Sequence, residues 1–233
     1  MNIHPTKALS DNYIWIMEEG KDAIVVDPGE TEGVLRYLEE KQLNLSAILL
    51  THDHEDHIDG VEELLAKFPN TLVYGPKEAD FISTDIVHEG DTFEWMGHNF
   101  QILKTAGHTK GHISYLTEDA LFCGDALFSA GCGRVFTKNY QAQYDSLQKF
   151  KNLADDVKVY AAHEYTKTNL RFAQSIEPSN KVISDALDQV NELRAHDLPT
   201  LPSTIGREKT INLFLRAKTL EDFIELRKAR DNF

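Results

Sequence analysis

LLTHDHEDHIDG, residues Leu49–Gly60, begins apolar and turns abruptly polar. Ala47–Leu50 reads as a buried strand. Seven of the next eight residues from His52 onward are histidine or acid: His52, Asp53, His54, Glu55, Asp56, His57 and Asp59. Such a run is too polar for a core. It falls where a strand leaves its sheet, a common place for a site in α/β proteins. In a tight turn His52 and His54 can face the same way and hold one ion, while Asp56 and His57 reach a second. Imidazole with carboxylate, without thiolate, suits zinc first, with iron and manganese as alternatives.

One loop cannot complete two metal sites, so other ligands must come from elsewhere. Three later places follow one pattern, in which a short strand ends and a single ligand-type residue follows. They are His108 in TAGHTKGH, Asp125 in LFCGDALF and His163 in VYAAHEYT. The expected sets are His52, His54 and His108 for one ion, and Asp56, His57 and His163 for the other. Asp125 bridges them, because a carboxylate has two oxygens. His112 is expected beside the site without ligating, or at the surface. Asp27 in VVDPG is either a partner for a ligand histidine or a plain turn cap. Cys123 and Cys132 are expected as small packed residues, and two cysteines make no disulfide framework.

The rest of the chain sets the class. Its 233 residues suit one domain or one and a half, and 41% hydrophobic residues suffice for a core. Net charge is −14, from 24 basic and 38 acidic residues, which disfavours nucleic acid or an anionic membrane as partner. No apolar run approaches the roughly 18 residues of a membrane span, and no signal-like segment opens the chain. A cytoplasmic monomer acting on a small molecule is expected.

Strands are expected at 13–17, 23–26, 47–50, 72–74, 113–116, 121–123 and 157–161, with a hairpin over 92–103 turning at Gly97-His98. Helices are expected at 31–41, 61–68, 141–153, 166–176, 180–196 and 220–230. In 180–196 the apolar stripe is Val182, Ile183, Ala186, Leu187, Val190 and Leu193. DLPTLPST, 197–204, reads as a linker or loop. The texture changes near residue 166, giving a strand-rich domain over 1–165 and a small helical one over 166–233.

THDHEDHIDG, GHTKGH, GDALF and HEYT resemble, in order and spacing, the metal motifs of the metallo-β-lactamase superfamily. DNYIW, GCGRVF, HEYTKTNLRFA and the terminal RKARDNF resemble, more narrowly, the glyoxalase II family of hydroxyacylglutathione hydrolases. The resemblance implies an α+β fold, the αβ/βα sandwich of that superfamily, followed by a helical substrate-binding domain. It implies hydrolysis of S-(2-hydroxyacyl)glutathione thioesters by hydroxide generated at a dinuclear site, with Asp56 and Asp125 in catalytic roles. It also implies that Arg134, Phe136, Tyr165, Arg227 and Arg230 meet the glutathione moiety. Phe136 stands where the family often has Tyr, Ala126 where it has Thr, and Arg134 where relatives carry Lys. Arg227 and Arg230 continue the inward stripe of the last helix, begun by Leu220, Phe223 and Ile224. Persulfide dioxygenase with one iron, and other metallo-hydrolases such as lactonases, are alternatives on the same fold. A binding protein with a structural metal is disfavoured by seven ligands, since structural zinc sites are closed and four-coordinate.

Overall fold

The computed structural model describes residues 1–233. The chain forms two compact units, residues 1–104 with 111–117, and residues 105–110 with 118–233.

The first unit carries a six-stranded sheet in strictly sequential order: β1 Asn2–Ala8, β2 Asn12–Glu19, β3 Asp22–Val26, β4 Asn44–Leu49, β5 Leu72–Gly75 and β6 Asp85–Ile86. β1 to β3 pair antiparallel and β3 to β6 parallel. The first two parallel pairs need crossovers, which α1 Glu32–Lys41 and the helices α2 Glu55–Ile58 and α3 Val61–Lys67 supply, and a 3-10 turn at Lys77–Ala79 leads from β5 to β6. Val34, Leu38, Val61 and Leu64 bury against Ile14, Ile16, Val25, Ile48 and Val73. A second group, β7 Thr92–Trp95, β8 His98–Lys104 and β9 Ile113–Thr117, is an antiparallel meander.

The second unit starts its regular structure with β10 Ala120–Gly124. α4 Tyr140–Lys151 and β11 Lys158–Ala161 follow, and β11 runs parallel to β10. Then come α5 Thr166–Ile176, α6 Lys181–Ala195, β12 Ser203–Thr204, α7 Ile205–Ile211, α8 Leu213–Arg216 and α9 Leu220–Asp231. Phe172 stacks on Phe214, and Phe214 meets Phe223 edge-on, so the helices share an aromatic core. No helix is long and apolar enough to cross a membrane.

Several expectations shift. The hairpin turns at Met96-Gly97, not Gly97-His98. Both residues take positive φ (+50° and +84°) and Trp95 pairs with His98. That is the primed turn that a right-twisted hairpin favours, and Met at its first position hides the signal. DLPTLPST is not all linker, because Ser203-Thr204 pairs with Lys158-Val159 as β12. Val182 and Leu193, at the two ends of the α6 stripe, are exposed. β1, α7 and α8 were not foreseen.

Candidate metal centre

In the first unit the site grows from two neighbouring parallel strands. Val26 pairs with Leu49, so β3 and β4 end side by side. Asp27 and Thr51 therefore emerge together. The Thr51 amide donates to Asp27 Oδ1 (2.8 Å) and its hydroxyl to Oδ2 (2.7 Å). Asp27 takes φ +50°, a conformation that Asp tolerates better than most residues. His57 Nδ1 lies 3.0 Å from Asp27 Oδ2. Asp27 is thus a hydrogen-bond partner of His57 as well as of Thr51, more than a turn cap. The chain stays extended through His54 and then turns helical as α2, which sets Asp56 and His57 in its first turn. Gly29 makes this possible, because a Cβ there would stand 1.9 Å from the Asp56 carbonyl oxygen. Asn12 Nδ2 donates to the Asp56 carboxylate (3.0 Å) and to its carbonyl oxygen (3.3 Å).

The hydrogen bonds fix the histidine tautomers. Thr51 gives its one hydroxyl proton to Asp27, so its oxygen can only accept from His52 Nδ1, 3.0 Å away. His57 Nδ1 donates to the Asp27 carboxylate. In the neutral rings the lone pair then lies on Nε2, which is the ligand form. His54 Nδ1 lies 3.0 Å from His52 Nε2, and two imidazole nitrogens that close need a shared proton or a shared cation. The donor atoms of Asp27, His52 and His57 lie within 4.8 Å of one another. His112 is fully buried and stacks on His52 at 4.9 Å, so it is no surface residue.

The second unit repeats the construction. Gly124 pairs with Ala161, and Asp125 and His163 follow at the ends of β10 and β11. One Asp125 oxygen lies 3.3 Å from His163 Nε2 and the other 3.3 Å from His108 Nε2. His108 Nδ1 donates to the Arg134 carbonyl oxygen at 2.8 Å, so here too Nε2 carries the lone pair. Gly133 lets that loop pass, since a Cβ would stand 2.1 Å from the Asp125 carbonyl oxygen and 2.8 Å from His108 Nδ1. His52, His57, His108, Asp125 and His163 are buried and Asp56 and His54 are half-buried, a set of imidazoles and carboxylates suited to divalent ions.

The residues expected at the substrate fall in two groups. Tyr165 stacks on His163 at 4.7 Å, and Phe136 meets His108 edge-on at 5.2 Å while staying 58% exposed. The Arg134 guanidinium is 6.0 Å from the Phe136 ring centre. Arg230 is half-buried beside Asn169, and burial with the neighbouring Arg227 charge makes it a weaker base. Arg227 differs. It is 5% exposed, and its guanidinium donates to the Cys132 carbonyl oxygen (2.8 Å) and twice to Asp231 (2.8 and 3.1 Å). The partner that an inward cation requires is therefore internal. Cys123 and Cys132 are buried thiols, pushed up in pKa by burial. Asn12 and Thr51 were missed as site residues, because asparagine and threonine beside a strand carry no distinctive signal.

Histidines and aspartates at the carboxyl ends of parallel strands are the donor set of a metal-dependent enzyme. The signature of the Metallo-beta-lactamase superfamily matches residues 9–163, and one described as Hydroxyacylglutathione hydrolase C-terminus matches residues 164–233. The hydroxyacylglutathione hydrolase of Glaesserella parasuis serovar 5 is 52% identical over the whole of both chains. That of Klebsiella pneumoniae subsp. pneumoniae is 47% identical over 95% of this chain and 89% of its own. The crystal structure of ETHE1 from Myxococcus xanthus superposes with a TM-score of 0.75 at 26% identity, covering 98% of this chain and 90% of that one. The chain belongs to the hydroxyacylglutathione hydrolase family. It has the metallo-β-lactamase fold, α+β with a C-terminal helical segment.

Proposed function

We propose that this protein hydrolyses S-(2-hydroxyacyl)glutathione thioesters, such as S-D-lactoylglutathione, to a 2-hydroxy acid and glutathione. His52, His54 and His108 would hold one divalent ion, and Asp56, His57 and His163 a second. Asp125 would offer one carboxylate oxygen to each. The observation that carries this reading is the Asp125 carboxylate, with one oxygen beside each of two histidines assigned to different ions. Zinc is the ion that the imidazole–carboxylate set favours.

Two bound ions supply Lewis acidity, which polarises the thioester carbonyl and brings the pKa of water toward about 7. The protein does the rest. Asp27 and Thr51 hold His57 and His52 in the ligand tautomer. Asp56, the most exposed carboxylate of the set and oriented by Asn12, takes the proton of the attacking water. The glutathione thiolate, with a conjugate acid near ~8.5, leaves without a strong general acid. Glutathione carries two carboxylates into an acidic protein, so local cations must receive them. Arg134 and Arg230 are those cations, Tyr165 and Phe136 flank the peptide, and Arg227 acts through the Cys132 carbonyl. Residues 166–233 thus serve as the substrate-binding domain of a cytoplasmic monomer. Elemental analysis joined to thioester assay tests this, with two ions per chain and activity restored by zinc after chelation as the expected result. A single iron with no thioester turnover would instead favour the dioxygenase reading.

A further inference from the structure

The segment Phe128–Cys132 links Asp125 to Arg134 and lies in no helix or named strand. It closes on itself through the reciprocal amide–carbonyl pair of Phe128 and Gly131, both at 3.0 Å. Ala130 sits at φ +56°, a conformation that a non-glycine residue holds only when its surroundings impose it. The segment is buried, so its remaining backbone groups need partners.

Those partners come from four side chains of the last third of the chain. Asn212 Nδ2 donates to the carbonyl oxygens of Phe128 (3.1 Å) and Gly131 (2.9 Å). Asn169 donates to that of Ser129 (3.1 Å), and Arg227 to that of Cys132 (2.8 Å). Glu208 accepts from the Ala130 amide (2.7 Å) and the Ser129 hydroxyl (2.9 Å). Every residue from 128 to 132 is gripped at least once.

Glu208 is the centre of this arrangement. It is fully buried on α7 and also accepts from the Ser203 hydroxyl (2.5 Å) and from Asn212 Nδ2 (3.1 Å). Its partners are two hydroxyls, a backbone amide and a side-chain amide, and burial raises its pKa against the pull of these donors. A carboxylate there is costly where an apolar side chain would pack more cheaply, so its presence points to a geometric task. Each end of the segment shows the task. Phe128 meets His163 and Tyr165 edge-on at 5.6 and 5.1 Å, and the Arg134 carbonyl oxygen holds His108.

We infer that Glu208 is a positioning residue that, with Asn169, Asn212 and Arg227, templates the Phe128–Cys132 segment and so sets Asp125 and Arg134 for the hydrolysis proposed above. The helices after residue 166 then shape the reaction centre as well as binding substrate. What is positioned rests on the proposed function, whereas the template itself does not.

The test is Glu208→Gln in the full-length zinc-loaded protein, read by amide hydrogen exchange without substrate and by kcat and KM with S-D-lactoylglutathione. The substituted amide turns a donor toward groups that already donate. Exchange at the Ala130 amide should rise at least ~10-fold while the amides of β3 and β4 keep their rates. kcat should fall roughly 10-fold, since small displacements of catalytic groups are costly. A rise shared equally by β3 and β4, or a loosened segment with unchanged kcat and KM, would overturn the inference. If Glu208→Gln does not fold, Asn169→Ala should give a smaller rise confined to 128–134, and no such rise would be equally fatal. A wild-type protein inactive on the thioester would sink the functional reading alone, because exchange is measured without substrate.

Discussion

Asp27 Oδ2 stands 3.0 Å from His57 Nδ1, with both side chains buried and the same oxygen taking the Thr51 hydroxyl proton. Two histidines, His57 directly and His52 through Thr51, depend on this one carboxylate for their tautomer. Asp27→Asn must turn an NH2 group toward one of these donors. Metal affinity should fall by roughly 10–100-fold, the usual cost of losing such a partner. Competition titration against a chelator measures it, and an unchanged affinity would show that the tautomers are set by something else.

Arg134 separates main chain from side chain. Its carbonyl oxygen holds His108, while its guanidinium is largely exposed beside Phe136. Arg134→Ala keeps the first contact and loses the second. KM for the glutathione thioester should rise by about 10-fold, as for the loss of one charge-assisted hydrogen bond. Bound metal should not change. Loss of metal in this variant would mean that the side chain, and not the backbone, supports the site.

Arg227 and Arg230 are three residues apart but should behave differently. Arg227 lies over the Phe214 ring at 5.0 Å and bonds Cys132 and Asp231. Arg227→Ala should cost about 2–4 kcal/mol of stability, lowering Tm by roughly 5–12 °C in calorimetry. Arg230→Ala should leave Tm within about 2 °C and act on KM. Equal effects of both on Tm, or on KM alone, would contradict this division.

The residues proposed as metal ligands could be picked out because each is a rare residue type at a strand end, and two parallel pairs bring strand ends together: Val26 with Leu49, Gly124 with Ala161. The groups that hold these side chains could not. Asn12, Thr51, Asn169 and Asn212 act through geometry that residue type does not reveal, and Glu208 looks like any helix carboxylate until its burial is seen. β1 escaped notice because its exposed, Pro5-containing pattern lacks apolar alternation. Arg227 shows the limit from the other side. Periodicity placed it inward correctly, but could not tell an internal partner from a substrate.

Glu177 offers a pH test away from the metal. Its carboxylate takes a bidentate grip from Arg216 (2.9 and 3.1 Å), and that hydrogen bonding holds its pKa below the ordinary 4.5 despite desolvation. A depressed carboxylate stabilises the fold above its unfolded pKa and loses that contribution as pH falls through the folded value. Both groups are about a third exposed, so the pair is worth under ~1 kcal/mol. Glu177→Gln should lower Tm by about 1–2 °C at pH 7, with the difference from wild type vanishing in acid below the folded pKa. A difference that persists there would not come from the ion pair.

The most direct measurement is kcat/KM of the zinc-loaded protein for S-D-lactoylglutathione against a lactoyl thioester of a small thiol lacking the glutathione carboxylates. With Arg134 and Arg230 each contributing about tenfold, the glutathione thioester should be favoured by roughly 100-fold. No hydrolysis of either, or equal hydrolysis of both, would contradict the assignment of this metal centre to glutathione thioesters.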